Sequence, residues 1–223
     1  MKILAIDTAA NLCAACIFDT QAGELGRSVH DLGKGHAEHL MSTIDEALAA
    51  ANSSYADLGL IAVSIGPGSF TGIRVGVATA RGLALALGIP SVGVTTLDAM
   101  AAEARRQFAG KSVLAAIDAR RDQLYVASYV GGGERTFGPA IATLEDAAAM
   151  LAPDMALVGS AAELIAQKAG RNVAITATSA TADIAIYAQL AAGMDPASGP
   201  PRPLYLRGAD AKPQQGFAVE RRD

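Results

Sequence analysis

The chain has 223 residues, 51% of them hydrophobic, two cysteines and a formal net charge of −4. This length and apolar content are sufficient for one large or two modest domains that fold without a metal or a disulfide. Dispersed basic residues and only 4% aromatic residues argue against a free-standing nucleic-acid binder. No charged and apolar leader precedes Asp7, so we expect a cytoplasmic protein. No apolar run reaches the roughly 20 residues of a membrane span, so we expect no transmembrane segment.

The first two apolar segments predict a β-hairpin. Residues 3–8 and 13–18 have the composition of strands and are joined by a short polar turn. Asp7 and Thr8 stand at the mouth of this hairpin. Cys13 and Cys16 lie in its second strand, where residues three apart face opposite sides of a sheet, so we expect structural cysteines rather than a redox or metal pair.

A helix is predicted from about His36 to Ala51, with Leu40 on its apolar face. His36 and His39 lie three residues apart at its start. The spacing of a zinc-protease motif is absent, so we favour polar first-turn or partner contacts over a metal site.

The most informative segment joins a buried strand, residues 60–65, to a glycine loop and a helix of unusually small residues. Ser69 is the predicted cap of this helix, which runs from about Phe70 to Leu87. Four small residues recur every fourth position and form a ridge that another backbone can approach closely. Burial in the chain's own core and contact with a partner helix both explain such a ridge, and spacing alone favours the core. We call it the small-residue ridge: Gly72, Gly76, Ala80 and Ala84.

The glycine loop also resembles a phosphate-binding loop, but the residues do not support that interpretation. A Walker A loop needs a Lys-Ser/Thr pair where this chain has Ile73 and Arg74. A dinucleotide-binding loop needs glycine where Thr71 stands.

A second pair of segments repeats the plan of the first hairpin. Residues 113–119 and 124–130 again form an apolar strand ending in Ile-Asp, a polar turn and another strand. Ile117-Asp118 follows Ile6-Asp7 by 111 residues, which indicates a duplicated unit and two tandem domains of one topology. Chance similarity of short hydrophobic strands is the alternative. Asp7 and Asp118 could face each other across a cleft and hold Mg²⁺ with a nucleotide, or could simply cap their turns.

The remaining segments alternate between strand and helix. Strands are predicted at residues 91–94, 155–158 and 173–175, and helices at 97–108, 144–151, 161–169 and 182–192. This alternation indicates an α/β layered structure with some parallel pairing.

Five motifs together closely resemble the TsaB (YeaZ) family, a bacterial partner subunit in tRNA threonylcarbamoyladenosine synthesis. The resemblance implies an α/β fold of two tandem actin-like (ASKHA, ribonuclease H-like) domains, the second reduced. The implied N-terminal domain is residues 1–108, which carry the partner-binding helices, and the reduced C-terminal domain is residues 109–206. A polar tail follows over 207–223. The motifs are Ile6-Asp7-Thr8, the His36–Leu40 run, the Ser64–Arg74 run, the Ile117–Arg121 run and the Pro203–Arg207 run.

The resemblance implies a non-catalytic scaffold that docks on TsaD and activates threonylcarbamoyl transfer to the adenosine next to the anticodon of ANN-decoding tRNAs. Thr96 and Met100 stand where TsaD-like proteins carry a histidine pair for their metal, and thioether sulfur does not replace imidazole for such a cation. We therefore expect no metal site and no catalysis by the chain alone. Asp7, Thr8 and Asp118 would be a vestigial nucleotide site. No cofactor is expected on this chain alone, and a nucleotide at the partner interface is left open.

The same resemblance implies that the two helices at 36–51 and 70–87 dock on TsaD. TsaE would join through the complex, tRNA would be contacted indirectly, and the chain alone would form a homodimer through the same surface. The alternative is a protein that acts alone, as an ASKHA-type ATPase or kinase or as a glycoprotease-like metallopeptidase. The predicted interface residues are His36, His39, Leu40, Phe70, Gly72, Ile73, Gly76, Val77 and Ala80.

Overall fold

Two five-stranded mixed sheets organise the protein, whose computed structural model describes residues 1–207. In the first sheet three strands form an antiparallel meander, and two further strands run parallel to the first strand on its other side. The strand order is β3-β2-β1-β4-β5. The strands are β1 (Lys2–Asp7), β2 (Leu12–Asp19), β3 (Gly23–Asp31), β4 (Leu58–Ser64) and β5 (Ser91–Val94).

The second sheet repeats this plan. Its order is β10-β9-β6-β7-β8, with an antiparallel meander on one side of β6 and two parallel strands on the other. Asp7 and Asp118 end the corresponding strands β1 and β6, as the sequence repeat predicted. The strands are β6 (Val113–Asp118), β7 (Leu124–Tyr129), β8 (Arg135–Ala142), β9 (Ala156–Val158) and β10 (Ala174–Ile175).

Sequence reasoning missed β3 and β8, which are both edge strands of their sheets. Each pairs on one side only, so its sequence lacks the continuous apolar character of a central strand. Most of β3 is partly or fully exposed, and the first three residues of β8 are exposed.

Six α-helices connect the strands in the described part of the chain. Short 3₁₀ turns lie at Tyr55–Asp57 and Pro196–Ser198. The helices are α1 (His36–Ala50), α2 (Phe70–Leu87), α3 (Thr96–Gln107), α4 (Leu144–Ala149), α5 (Ala162–Ala169) and α6 (Ile184–Ala192).

The helices and sheets stack in layers around three buried clusters. One face of the first sheet packs against α1 and α2, and one face of the second packs against α4 and α5. The two inner faces share a core with α3 and α6. α6 packs on β1 and β2 although it follows the second sheet in the chain, while α3 packs on β6. The predicted boundary after residue 108 thus falls between the sheets, but the helices cross it.

Two sequence predictions concern the ends and the surroundings of the fold. The polar tail predicted over 207–223 lies, apart from Arg207, outside the described residues. Among residues 1–207, α2 is the helix long and apolar enough to cross a membrane by length and composition. About a third of this helix is buried here, on the side that packs against the first sheet (33%).

Candidate functional site

The small-residue ridge of α2 lies inside the protein. A Cβ atom added at Gly72 would be 2.0 Å from the carbonyl oxygen of Thr8, and one at Gly76 would be 2.5 Å from Thr8 Oγ1. Ala80 and Ala84 are buried on the same side. The ridge therefore allows α2 to pack directly on the end of β1. The protein's own strand fills the space beside Gly72 and Gly76, which supports burial in the core, the first of the two explanations for the ridge, and contact of the ridge with a partner stays a prediction.

Most other predicted interface residues are buried as well. The exposed fractions of His36, Leu40, Ile73 and Val77 are 7%, 1%, 3% and 3%, so these side chains belong to the core beneath α1 and α2. Of the predicted set, His39 and Phe70 are exposed.

The outer side of α1 and α2 nevertheless presents apolar side chains to solvent. Leu85 of α2 is 86% exposed, and Met41 of α1 is 45% exposed. Ala78, Gly82 and Ala86 of α2 are exposed too. We call these five residues the outer face. The exposed apolar side chains of α1 and α2 are thus, apart from Phe70, different residues from those that the sequence analysis selected on the same helices.

Asp7 is buried in a hydrogen-bonded network rather than open to a ligand. Its carboxylate is 1% exposed, accepts a hydrogen bond from the backbone N–H of Ala9 at 2.9 Å and accepts another from the hydroxyl of Thr181. Thr181 Oγ1 lies 2.7 Å from the hydroxyl of Tyr187. Burial raises the pKa of Asp7, against hydrogen bonds from Ser64, Thr181 and Ala9 that lower it. The network ties β1 to α6.

Thr8 is also used internally. Its hydroxyl donates to the carbonyl oxygen of Gly72 at 2.7 Å, and its backbone N–H donates to Ser64 Oγ at 3.4 Å. Asp118, by contrast, is exposed. Asp7 and Asp118 each accept a hydrogen bond from the backbone N–H two residues on, so the structure shows the second alternative of the sequence analysis, in which the two aspartates cap their turns.

A cleft of about 700 Å³ lies between the turns of the two hairpins. Asp118 lines it and accepts a hydrogen bond from the backbone N–H of Arg120 at 2.7 Å. Arg120, Arg121 and Asp122 have φ angles of 61°, 56° and 57°, a left-handed run that non-glycine residues seldom adopt and that often marks a functional turn. The other walls are residues 9–11, 67–70 and 204–207.

Residues 203–207, which we call the strap, cross the cleft from one half of the protein to the other. The backbone N–H of Leu204 donates to the carbonyl oxygen of Ile65 at 2.8 Å. Further along, the Arg207 guanidinium donates to the carbonyl oxygen of Ala119 at 3.4 Å and to the side chain of Gln123. The strap thereby joins the loop before α2 to the β6–β7 turn.

Arg74 and two aromatic rings form a stack at the mouth of the cleft. The Arg74 guanidinium carbon lies 3.7 Å from the ring centroid of Phe70 and 5.4 Å from that of Tyr205. The two ring centroids are 5.5 Å apart, and Arg74 Nε donates to the Tyr205 hydroxyl at 2.7 Å. Sequence reasoning did not single out Arg74 and Tyr205 as site residues, since they meet only in the fold.

Thr96 and Met100, which stand where relatives would carry metal ligands, are fully buried at the start of α3. The backbone N–H of Thr96 donates to the carbonyl oxygen of Gly66 at 2.9 Å, and Met100 packs in the shared core. Within residues 1–207, no three His, Cys, Asp or Glu side chains are grouped so that they could hold a metal ion. Cys13 and Cys16 are free thiols in the cores on opposite faces of the first sheet.

These features define an α/β protein of two mixed sheets with one strand plan, a shared helical core and a cleft between equivalent hairpins. The model of a family described as "TsaD: tRNA N6-adenosine threonylcarbamoyltransferase" matches residues 30–196. The chain belongs to the TsaB/YeaZ family, within the group that this family model matches.

Individual relatives support this placement. The tRNA threonylcarbamoyladenosine biosynthesis protein TsaB of Escherichia coli K12 is 38% identical over 129 residues, which are 58% of this chain and 55% of that protein. The match thus spans about half the length of that relative. An uncharacterized protein of Mycobacterium tuberculosis is 39% identical over 95% of this chain and 94% of its own length. A Pseudomonas aeruginosa crystal structure, described as an uncharacterized protein with similarity to peptidase YEAZ, superposes with a TM-score of 0.76 at 25% identity, covering 92% of this chain and 99% of its own.

Proposed function

We propose that this chain is a non-catalytic partner subunit in tRNA threonylcarbamoyladenosine synthesis, which docks on TsaD and activates it. TsaD would transfer the threonylcarbamoyl group to the adenosine next to the anticodon of ANN-decoding tRNAs. The name of the E. coli relative and the TsaD family model support this assignment. TsaE would join through the complex, and the protein would work in the cytoplasm.

The two sheets support a fold of two tandem actin-like domains. They share one strand order, and the first spans the hairpin and helices of the predicted N-terminal domain. The outer parallel strands β9 and β10 have three and two residues, against seven and four in β4 and β5. The second domain would therefore be the reduced one.

The observation that carries the proposal is the exposed apolar surface of α1 and α2. An isolated exposed leucine is ordinary, but Leu85 and Met41 lie on adjacent helices beside small residues. A pair of helices with such a surface can pack against an equivalent pair, ridges into grooves. The outer face would thus dock on TsaD, and without TsaD it would pair with a second copy of the chain.

The residue types at the start of α3 support an absence of catalysis by this chain alone. Thr96 and Met100 are buried and offer neither imidazole nor carboxylate to a metal. Asp7 and Thr8 are engaged by the protein's own groups. The contact with TsaD, rather than Asp7 and Thr8, is therefore the proposed place for a nucleotide.

The test is co-elution with TsaD in gel filtration, together with tRNA modification by TsaD, TsaE and a threonylcarbamoyl-AMP donor. We expect Leu85→Glu to abolish co-elution and modification, because it places a charge in the apolar contact. Leu164→Glu is the matched control, since Leu164 is a 46% exposed leucine on α5. Docking through the outer face is refuted if both Leu85→Glu and Met41→Glu still co-elute like the native chain.

A further inference from the structure

We propose that the mouth of the cleft is a binding surface for single-stranded RNA. Its elements are the exposed rings of Phe70 and Tyr205 and the guanidinium groups of Arg74, Arg120 and Arg207. This goes beyond the proposed function, in which RNA is contacted indirectly, because the surface belongs to this chain alone and needs no TsaD.

The first argument is the stack of rings at the mouth. Phe70 and Tyr205 are 48% and 50% exposed, so ring surface is open to a base while Arg74 holds the pair together. Proteins that bind single strands stack successive bases on exposed aromatic rings, and arginine adds cation–π attraction. Large rings left half in solvent beside a cleft fit this use better than a role in the core.

The second argument is local charge. Arg120 and Arg207 line the cleft against one carboxylate, Asp118, and Arg74 adds a third guanidinium at the rim. The mouth of the cleft is thus locally positive, although the net charge of the whole protein is −4. The basic residues look dispersed in the sequence, but α2, the β6–β7 turn and the strap bring these three together. Phosphates are drawn to such a cluster.

The third argument distinguishes a strand of RNA from a free nucleotide. Asp7 and Thr8, the polar groups best placed in sequence to hold a nucleotide, are turned inward. The rings lie on the rim, and the cleft of about 700 Å³ has room beyond a single base. A strand can stack bases on the rim while its phosphates follow the arginines. Duplex RNA already stacks its bases internally, so it cannot use the rings in this way.

The experiment measures fluorescence anisotropy of a labelled single strand of about 12 nucleotides, a length within the usual site size, with the isolated full chain. Binding that weakens with salt is expected. The double variant with Phe70→Ala and Tyr205→Ala should raise Kd about 30-fold or more, because two stacked bases are lost. Arg81→Ala is the matched control, an exposed α2 arginine about three turns from Phe70, and should bind like the native chain.

Two further measurements locate the site. Replacing Arg120 by Asn, which tolerates the positive φ there, should lower the slope of log K against log salt by about 0.7, the value for one phosphate contact on a single strand. Photo-cross-linking of the native chain to RNA containing 4-thiouridine should label peptides with Phe70, Tyr125 or Tyr205. Because this experiment needs no variant, its result does not depend on whether a variant folds.

Several results would overturn the proposal. One is an absence of saturable binding at about 50 mM salt, where such electrostatic contacts are strong. Another is a loss of RNA affinity with Arg81→Ala as large as that of the Phe70→Ala, Tyr205→Ala variant. The others are equal affinity for duplex RNA and full displacement of the strand by equimolar free AMP or ATP. Leu85→Glu separates the two proposals, since it should fail to dock on TsaD yet bind RNA like the native chain.

Discussion

At the scale of single residues, the carbonyl oxygen of Thr8 determines what stands opposite it on α2. A side chain at Gly72 would have its Cβ 2.0 Å from that oxygen, a distance that only movement of the helix or the strand end could relieve. Glycine inside a helix costs about 1 kcal/mol relative to alanine. Glycine at position 72 compensates for this cost, because its lack of a Cβ atom permits close contact between α2 and the end of β1.

Two glycines of α2 provide a matched comparison. Gly72→Ala should lower the free energy of unfolding by about 1–3 kcal/mol through overpacking. Gly82 has no atom within 4 Å of an added Cβ, so Gly82→Ala should raise it by about 0.5–1 kcal/mol. Urea unfolding measures both. Equal shifts in the same direction would show that α2 does not rest on the end of β1.

Asp7 gives a prediction for pH dependence. Burial raises its pKa in the folded protein above the ordinary 3.8, so just above that pH the folded state holds a proton that the unfolded state has released. Its contribution to stability is therefore largest at low pH and falls as pH rises from about 4 towards the folded pKa. Asp7→Asn cannot titrate.

The measurement is the free energy of unfolding of the native chain minus that of Asp7→Asn at several pH values. Taking this difference removes the effect of other carboxyl groups, including those whose pKa is lowered, such as Glu46. The difference should decrease as pH rises. A difference independent of pH would mean that Asp7 titrates alike in the folded and unfolded states.

At the scale of elements, α2 has two opposite surfaces with different roles. Its small-residue ridge faces β1 and is buried, whereas Leu85 and the rest of the outer face meet solvent. Its first residue, Phe70, joins the stack at the cleft mouth. Helix α2 therefore contributes to the core and the cleft through its start and to the proposed docking surface through its second half.

The cap of α2 can be tested separately from its packing. Ser69 Oγ accepts a hydrogen bond from the backbone N–H of Gly72 at 3.2 Å, and Ser69 is exposed. Ser69→Ala should cost about 1 kcal/mol of stability in thermal or urea unfolding. Ser42→Ala is the control, because Ser42 is an exposed mid-helix serine bonded to the carbonyl oxygen of His39, where alanine is neutral or slightly favourable. Indistinguishable effects would argue against the cap.

At the scale of the whole molecule, the two sheets are joined by exchanged helices. α6 covers the inner face of the first sheet and α3 that of the second, within one buried cluster. The Asp7–Thr181–Tyr187 network and the strap add polar links between the same halves. The halves should therefore lose structure together.

We expect one cooperative transition in calorimetry, with equal calorimetric and van't Hoff enthalpies. A fragment of residues 1–108 lacks α6, so the face that carries Ile3, Ala5 and Leu60 would be open to water. The fragment should bind a hydrophobic dye and melt without a cooperative transition. The full chain should not bind the dye and should melt in one cooperative transition. A fragment that melts cooperatively would show that the first sheet is stable by itself.

Hydrophobic patterns were sufficient to predict most of the elements, and the predicted bounds of α2 and β5 are confirmed. The edge strands β3 and β8 were missed because their residues are largely solvated. The site was harder to predict, because its parts meet over long distances in the sequence. Arg74 and Tyr205 are 131 residues apart, and the role of the small-residue ridge depends on where Thr8 lies. Spacing along one helix carries no information about which surface it meets.

The position of α6 has a consequence for how the protein is made. A ribosome releases the chain from its N-terminus, and all five strands of the first sheet emerge well before residues 184–192. Until then the inner face of that sheet lacks its cover and exposes apolar side chains to the cell. The cover of the first sheet is therefore delayed until α6 has been synthesised, so this nascent chain should depend on a chaperone more than one with self-contained halves.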